Sequence, residues 1–164
     1  MLTYVVNRGE LERIAHGLYR FPGRPEEVDF VGILREMLRI VPNAIVGLET
    51  ALQLYNLSDE PTRTIHLIVH QTNTPTRKLP DVRFFRVRMP LSQFSTTRIK
   101  GMRVTTVEQT IVDLLRAGYS ISEMVKIIHG AQRRRMTVEL SQLQKLGERF
   151  HVKGRVERVI EAVY

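Results

Sequence analysis

Apolar residues recur along this chain with two periods, and the change from one to the other outlines the fold. Phe30, Ile33, Leu34, Met37, Leu38 and Val41 follow the i, i+3, i+4, i+7 rule of a helix with one buried stripe. That helix is expected to begin after the breaker Pro22-Gly23-Arg24-Pro25, where Glu26 and Glu27 suit its dipole, and to stop at Pro42-Asn43. Leu48, Leu52 and Tyr55 predict a shorter helix ending near Asn56. From Thr64 the period drops to two: Ile65, Leu67 and Val69 alternate with His66, Ile68 and His70, as in a half-buried strand with one wetter face. After a loop at Asn73 to Pro80, Val82 to Arg88 alternates again, with Val82, Phe84 and Arg86 on one face. Thr97 to Ile99 and Met102 to Thr105 predict two strands turning at Lys100-Gly101. The last third returns to the helical period in four amphipathic segments, carried by Val107, Ile111, Leu114 and Leu115, then Met124, Ile127, Ile128 and Ala131, then Leu140, Leu143, Leu146 and Phe150, then Val156, Val159, Ile160 and Val163. These elements define an α+β fold with a small, mostly antiparallel sheet and C-terminal helices.

Ahead of this body stands a basic stretch. Leu11 to Ala15 and Leu18 to Phe21 are two strand-like runs, and His16-Gly17 between them supplies the positive φ of a two-residue hairpin turn. Arg8, Arg13, Arg20 and Arg24 surround the turn. A two-stranded ribbon carrying arginines is a common means of touching phosphates beside a recognition helix.

The run from Val5 to Pro22 resembles the end of the recognition helix and the wing of AbiEi-like antitoxins, the bacterial type IV toxin–antitoxin regulators. Three later blocks, Gly47 to Leu57, Thr64 to Val69 and Val104 to Leu114, are similar to that family's next segments in the same order. The resemblance implies that residues 1–24 are a partial winged helix-turn-helix, and residues 25–164 an α+β antitoxin body with a helical C-terminal third. It implies no catalytic activity and no cofactor. The implied partners are operator DNA with inverted repeats and a cognate nucleotidyltransferase-like toxin. Arg8, Arg13, His16, Tyr19 and Arg20 are the expected DNA-backbone contacts. Family members carry two or more helices before the wing, whereas only Met1 to Asn7 precede it here. Base edges are normally read from the N-terminal part of the recognition helix, so the expectation is weak, poorly specific and strongly salt-dependent binding to duplex DNA. A protein-binding antitoxin body that does not touch DNA is the other reading of the same resemblance.

Charge sharpens this picture. The net charge is +8 in 164 residues, a balance that favours polyanions. Residues 26–97 are balanced, with eight basic and eight acidic side chains, and residues 98–164 carry thirteen basic against seven acidic. Within that last segment Arg133, Arg134 and Arg135 close a helix, where cations complement the dipole and also form a candidate patch for nucleic acid or an acidic partner. The absence of cysteine excludes disulfides and thiolate metal sites. No apolar run reaches the roughly 18 residues of a membrane span, and no signal-peptide core is present, so the expected compartment is the cytoplasm.

The remaining chemistry is sparse. His66 and His70 in one strand stand about 13 Å apart, too far to share an ion, so no metal site is expected. Asp113 lies roughly 80 to 100° off its helix's apolar stripe, the place of a boundary residue paired with an arginine. No Gly-rich phosphate loop, nucleophile elbow or His-Glu-x-x-His is present. Asp81 has neither an acid nor a lysine in the strand that follows, so a degenerate nuclease, the third reading, lacks its carboxylate cluster.

Overall fold

A five-stranded sheet with helices on both faces decides which residues are buried. The computed structural model describes residues 12–15, 18–20 and 30–164 apart from 63 and 77, and only the backbone of the two N-terminal strands. In chain order the elements are β1 (Glu12–Ala15), β2 (Leu18–Arg20), α1 (Phe30–Ile40), β3 (Ile45–Val46), α2 (Leu48–Leu54), β4 (Ile65–His70), β5 (Val82–Val87), β6 (Thr96–Ile99), β7 (Met102–Thr105), α3 (Val107–Arg116), α4 (Ile121–Arg133), α5 (Leu140–Arg149) and α6 (Lys153–Val163). The α+β class and the four C-terminal helices agree with the apolar periods. β1 and β2 pair only with each other, and the sheet of the body runs β5-β4-β3-β7-β6.

The sheet is mixed. β3–β4 and β6–β7 are antiparallel, whereas β3–β7 and β4–β5 are parallel, and for β4–β5 the loop after His70 is long enough to bring the chain back in the same direction. Its central strand, β3, is only two residues long. Beyond Val46 the backbone of β4 needs another partner, and Thr50 of α2 provides it: its hydroxyl accepts from the His66 N–H at 2.8 Å. Gly47 permits this approach, since a Cβ there would stand 2.6 Å from Cδ1 of Ile68. The chain then enters α2 through Leu48, a buried leucine held at φ 51°.

Two apolar cores lie on opposite faces of the sheet. Leu34 and Met37 of α1, with Val41 just past its end, meet Val46, Leu67, Val69 and Val104 on one side. Ile45, Ile68 and Phe94 meet α3 to α6 on the other. The wetter face expected for β4 is therefore not there: His66 is 7% exposed and Ile68 2%. Helices cover both faces, and such strands lose their polar alternation. α3 likewise is buried from Val107 to Leu115 rather than along one stripe, with α2, α4, α5 and α6 around it. Its polar side chains are put to use. Thr106 caps the helix, Gln109 Oε1 accepts from Ser95 N–H at 3.0 Å, and Glu108 accepts from Glu139 N–H at 2.8 Å at the start of α5. Arg155 of α6 donates to the carbonyls of Leu115 and Tyr119, where α3 ends.

Candidate nucleic-acid interface

The two strands predicted at the N-terminus pair as a ribbon, and the turn expected at His16-Gly17 lies outside the described residues. β1 and β2 are antiparallel, Arg13 stands opposite Tyr19 and Glu12 opposite Arg20, and the register shifts between Arg13 and Ala15. Arg13, Tyr19 and Arg20 are thus placed on one two-stranded ribbon. Arg8 and His16 lie outside the described residues.

A second basic feature is built by the body. Arg35 and Arg39, one turn apart on α1, face Arg98, Lys100 and Arg103 of the β6–β7 hairpin across a groove of about 400 Å³ that has no acidic residue in its lining. The hairpin turns at Lys100 (φ 49°) and Gly101 (φ 81°), the paired positive φ of a type I′ turn. Arg35 donates to the Lys100 carbonyl at 2.9 Å and so ties α1 to that turn. Arg98 donates to the Gly101 carbonyl at 3.1 Å, and Arg103 to the Leu91 carbonyl at 3.2 Å. The acceptors of Arg35, Arg98 and Arg103 are neutral carbonyls and do not compensate the cationic charge. The ion pairs among the described residues involve Arg116 and Lys153 and none of these five. Charges on β6, an edge strand, also discourage sheet extension by another chain. The groove joins segments some sixty positions apart, so the sequence hinted at it only through the i, i+4 spacing of Arg35 and Arg39 on the polar side of α1.

Arg133, Arg134 and Arg135 stand at and just past the end of α4. All three are exposed, but only Arg133 and Arg134 line a groove, and Glu49, Asp59, Glu60 and Glu123 line the same groove. Arg135 has a backbone task. It sits at φ 58° just past α4, and Met136 N–H reaches back to the Ala131 carbonyl at 2.9 Å, a Schellman closure. Asn56, Gly118 and His151 hold the equivalent place after α2, α3 and α5. Glycine adopts this conformation without steric cost, so Arg135→Gly is expected to raise stability by up to about 1 kcal/mol in urea unfolding.

The histidines of β4 are structural. His66 packs edge-on against Phe85 with ring centroids 5.6 Å apart, and burial holds its pKa below the usual value. The His70 ring bonds Thr72 Oγ1 at 2.7 Å and the Arg88 carbonyl at 3.0 Å. Among the described residues no group of three or more His, Asp or Glu side chains is placed to hold a metal ion. Nor is any helix among them long and apolar enough to cross a membrane. Asp113 does pair with Arg116, at 3.6 Å, yet it is no boundary residue: it is 5% exposed, and burial raises its pKa from 3.8 to about 7.

No family model and no curated protein matches the sequence. The fold is similar to that of the RV2827C protein from Mycobacterium tuberculosis, known from a crystal structure. The TM-score is 0.50 with 14% identity, and the match covers 99% of this chain and 69% of that one. At that identity the likeness is one of fold.

Proposed function

We propose that this chain is an AbiEi-like antitoxin and transcriptional autoregulator without catalytic activity. It binds operator DNA through its N-terminal ribbon and counteracts a nucleotidyltransferase-like toxin. The observation that supports the reading is the contact among the last three of the four blocks that resemble the family. The first contains the β1–β2 ribbon, and the other three supply α2, β4 and the β7–α3 junction. Those three touch one another: Gly47 packs on Ile68, Thr50 bonds His66, and the Tyr55 hydroxyl donates to the Thr105 carbonyl at 2.8 Å. Segments that form one packed unit are constrained together, as a shared body requires. The ribbon's arginines supply phosphate contacts, and the basic groove adds a second surface of the same sign.

The experiment is a titration of operator and scrambled duplexes at several salt concentrations, run beside a toxin-neutralisation assay in cells. Expected is duplex binding with a steep salt dependence, and Arg13→Ala lowering the log–log slope by about 1 for both duplexes alike. Absence of binding at about 50 mM salt together with failure to neutralise the toxin would overturn the proposal.

A further inference from the structure

The basic groove between α1 and the β6–β7 hairpin breaks two local rules at once. Arg35 and Arg39 stand at i, i+4 on α1, and Arg98 and Arg103 are directly opposed partners in the hairpin. Like charges at either spacing destabilise the element that carries them. Lys100 at the hairpin turn adds a fifth cation, and no acidic residue lines the groove. Conflicts of this kind are expected at functional sites. The cations are held in two ways. Arg35 and Arg98 each spend one donor on a carbonyl of the turn, and Arg103 donates to Thr96 Oγ1 and to the Leu91 carbonyl. These bonds fix three guanidinium groups and leave their other N–H donors available. The side chains of Arg39 and Lys100 have no hydrogen-bond or ion-pair partner among the described residues.

We propose that this groove is a binding site for linked phosphates, the triphosphate group of a free polyphosphate or of a nucleotide. Charge sets the class. A single orthophosphate brings at most about two charges and meets only part of the set. A nucleic-acid strand brings one charge per phosphate, spaced along its backbone. A triphosphate concentrates about four on one short group, the nearest match to the five cations. Geometry agrees, since the three fixed guanidinium groups offer forked donors to phosphate oxygens, and Arg39 and Lys100 are free to close on the ligand. The volume of about 400 Å³ lies within the range of small-molecule sites. A free polyphosphate would use the cations alone, whereas the base of a nucleotide would also cover Leu38, Ala44 and Met102, the apolar part of the lining. The proposal goes beyond the proposed function and needs neither operator DNA nor a toxin.

The test is a two-dimensional amide NMR titration of the full chain with orthophosphate, tripolyphosphate and adenosine triphosphate, at about 50 mM salt and without divalent cations. Tripolyphosphate should shift the amides of Arg39, Lys100, Gly101 and Met102. It should bind about a hundredfold tighter than orthophosphate, about tenfold for each added phosphate that meets a cation. In Arg39→Gln combined with Lys100→Gln that preference should fall to about tenfold or less, whereas Arg133→Gln combined with Arg134→Gln should leave it unchanged. The shift pattern of the parent protein decides the case by itself if the first pair fails to fold. Adenosine triphosphate binding as tightly as tripolyphosphate or tighter assigns the site to a nucleotide, and binding more than about tenfold weaker assigns it to a free polyphosphate. Equal affinity for orthophosphate and tripolyphosphate, shifts confined to other amides, equal losses in the two paired variants, or no shift at about 5 mM tripolyphosphate would each overturn the proposal.

Discussion

Asp113→Asn should stabilise the protein strongly at pH 8 and hardly at all at pH 4. In the folded chain burial raises the Asp113 pKa from 3.8 to about 7, against the desolvation it suffers when ionised. The folded state therefore holds a proton that the unfolded state releases throughout the interval between those values. Stability falls with rising pH across that interval, and the full penalty is present above about pH 7. A rise of this size corresponds to up to about 4 kcal/mol. Asparagine has nearly the same shape, keeps an oxygen to accept from Gln109, and carries no charge to desolvate. Its loss of attraction to Arg116 is small beside this, since that side chain is 35% exposed. Urea unfolding of both proteins at pH 4 and pH 8 isolates the effect, because every other titrating group is common to the two. A stability difference that stays constant between the two pH values would show that Asp113 ionises normally in the folded protein.

The same residue marks where the sequence stops being legible. The period of α3 put Asp113 at the boundary of the apolar stripe and suggested an arginine partner, and the structure supplies that partner in Arg116. Burial did not follow, because it depends on four other helices closing around α3, and no local period records that. β3 was hidden for a related reason. Ile45 and Val46 are too few to show alternation, and they form a strand only because β4 and β7 lie on either side. By contrast, α1, the β6–β7 hairpin and α4 to α6 were readable, since each carries its own period, breaker or turn pair. Of the candidate interface, the ribbon was visible because its two strands are adjacent in sequence. The groove was not, because its two walls come from a charge-balanced segment and the start of a basic one.

That groove provides a test in which total charge is held constant. Arg39→Gln combined with Lys100→Gln should lower the log–log salt slope of duplex binding by about 2 and, at 0.1 M salt, weaken affinity by roughly a hundredfold, about tenfold for each phosphate that no longer meets a cation. These two are the cleaner choice of the five because Arg35, Arg98 and Arg103 also hold backbone carbonyls that shape the groove. Arg133→Gln combined with Arg134→Gln removes the same two charges from a surface where acidic residues stand nearby. If phosphates run along the groove between α1 and the β6–β7 turn, the first pair loses affinity and the second barely changes. Both pairs should unfold within about 0.5 kcal/mol per substitution of the parent, since all four side chains are exposed. Equal losses for the two pairs would mean that DNA responds only to net charge, and the groove would then have no special claim on it.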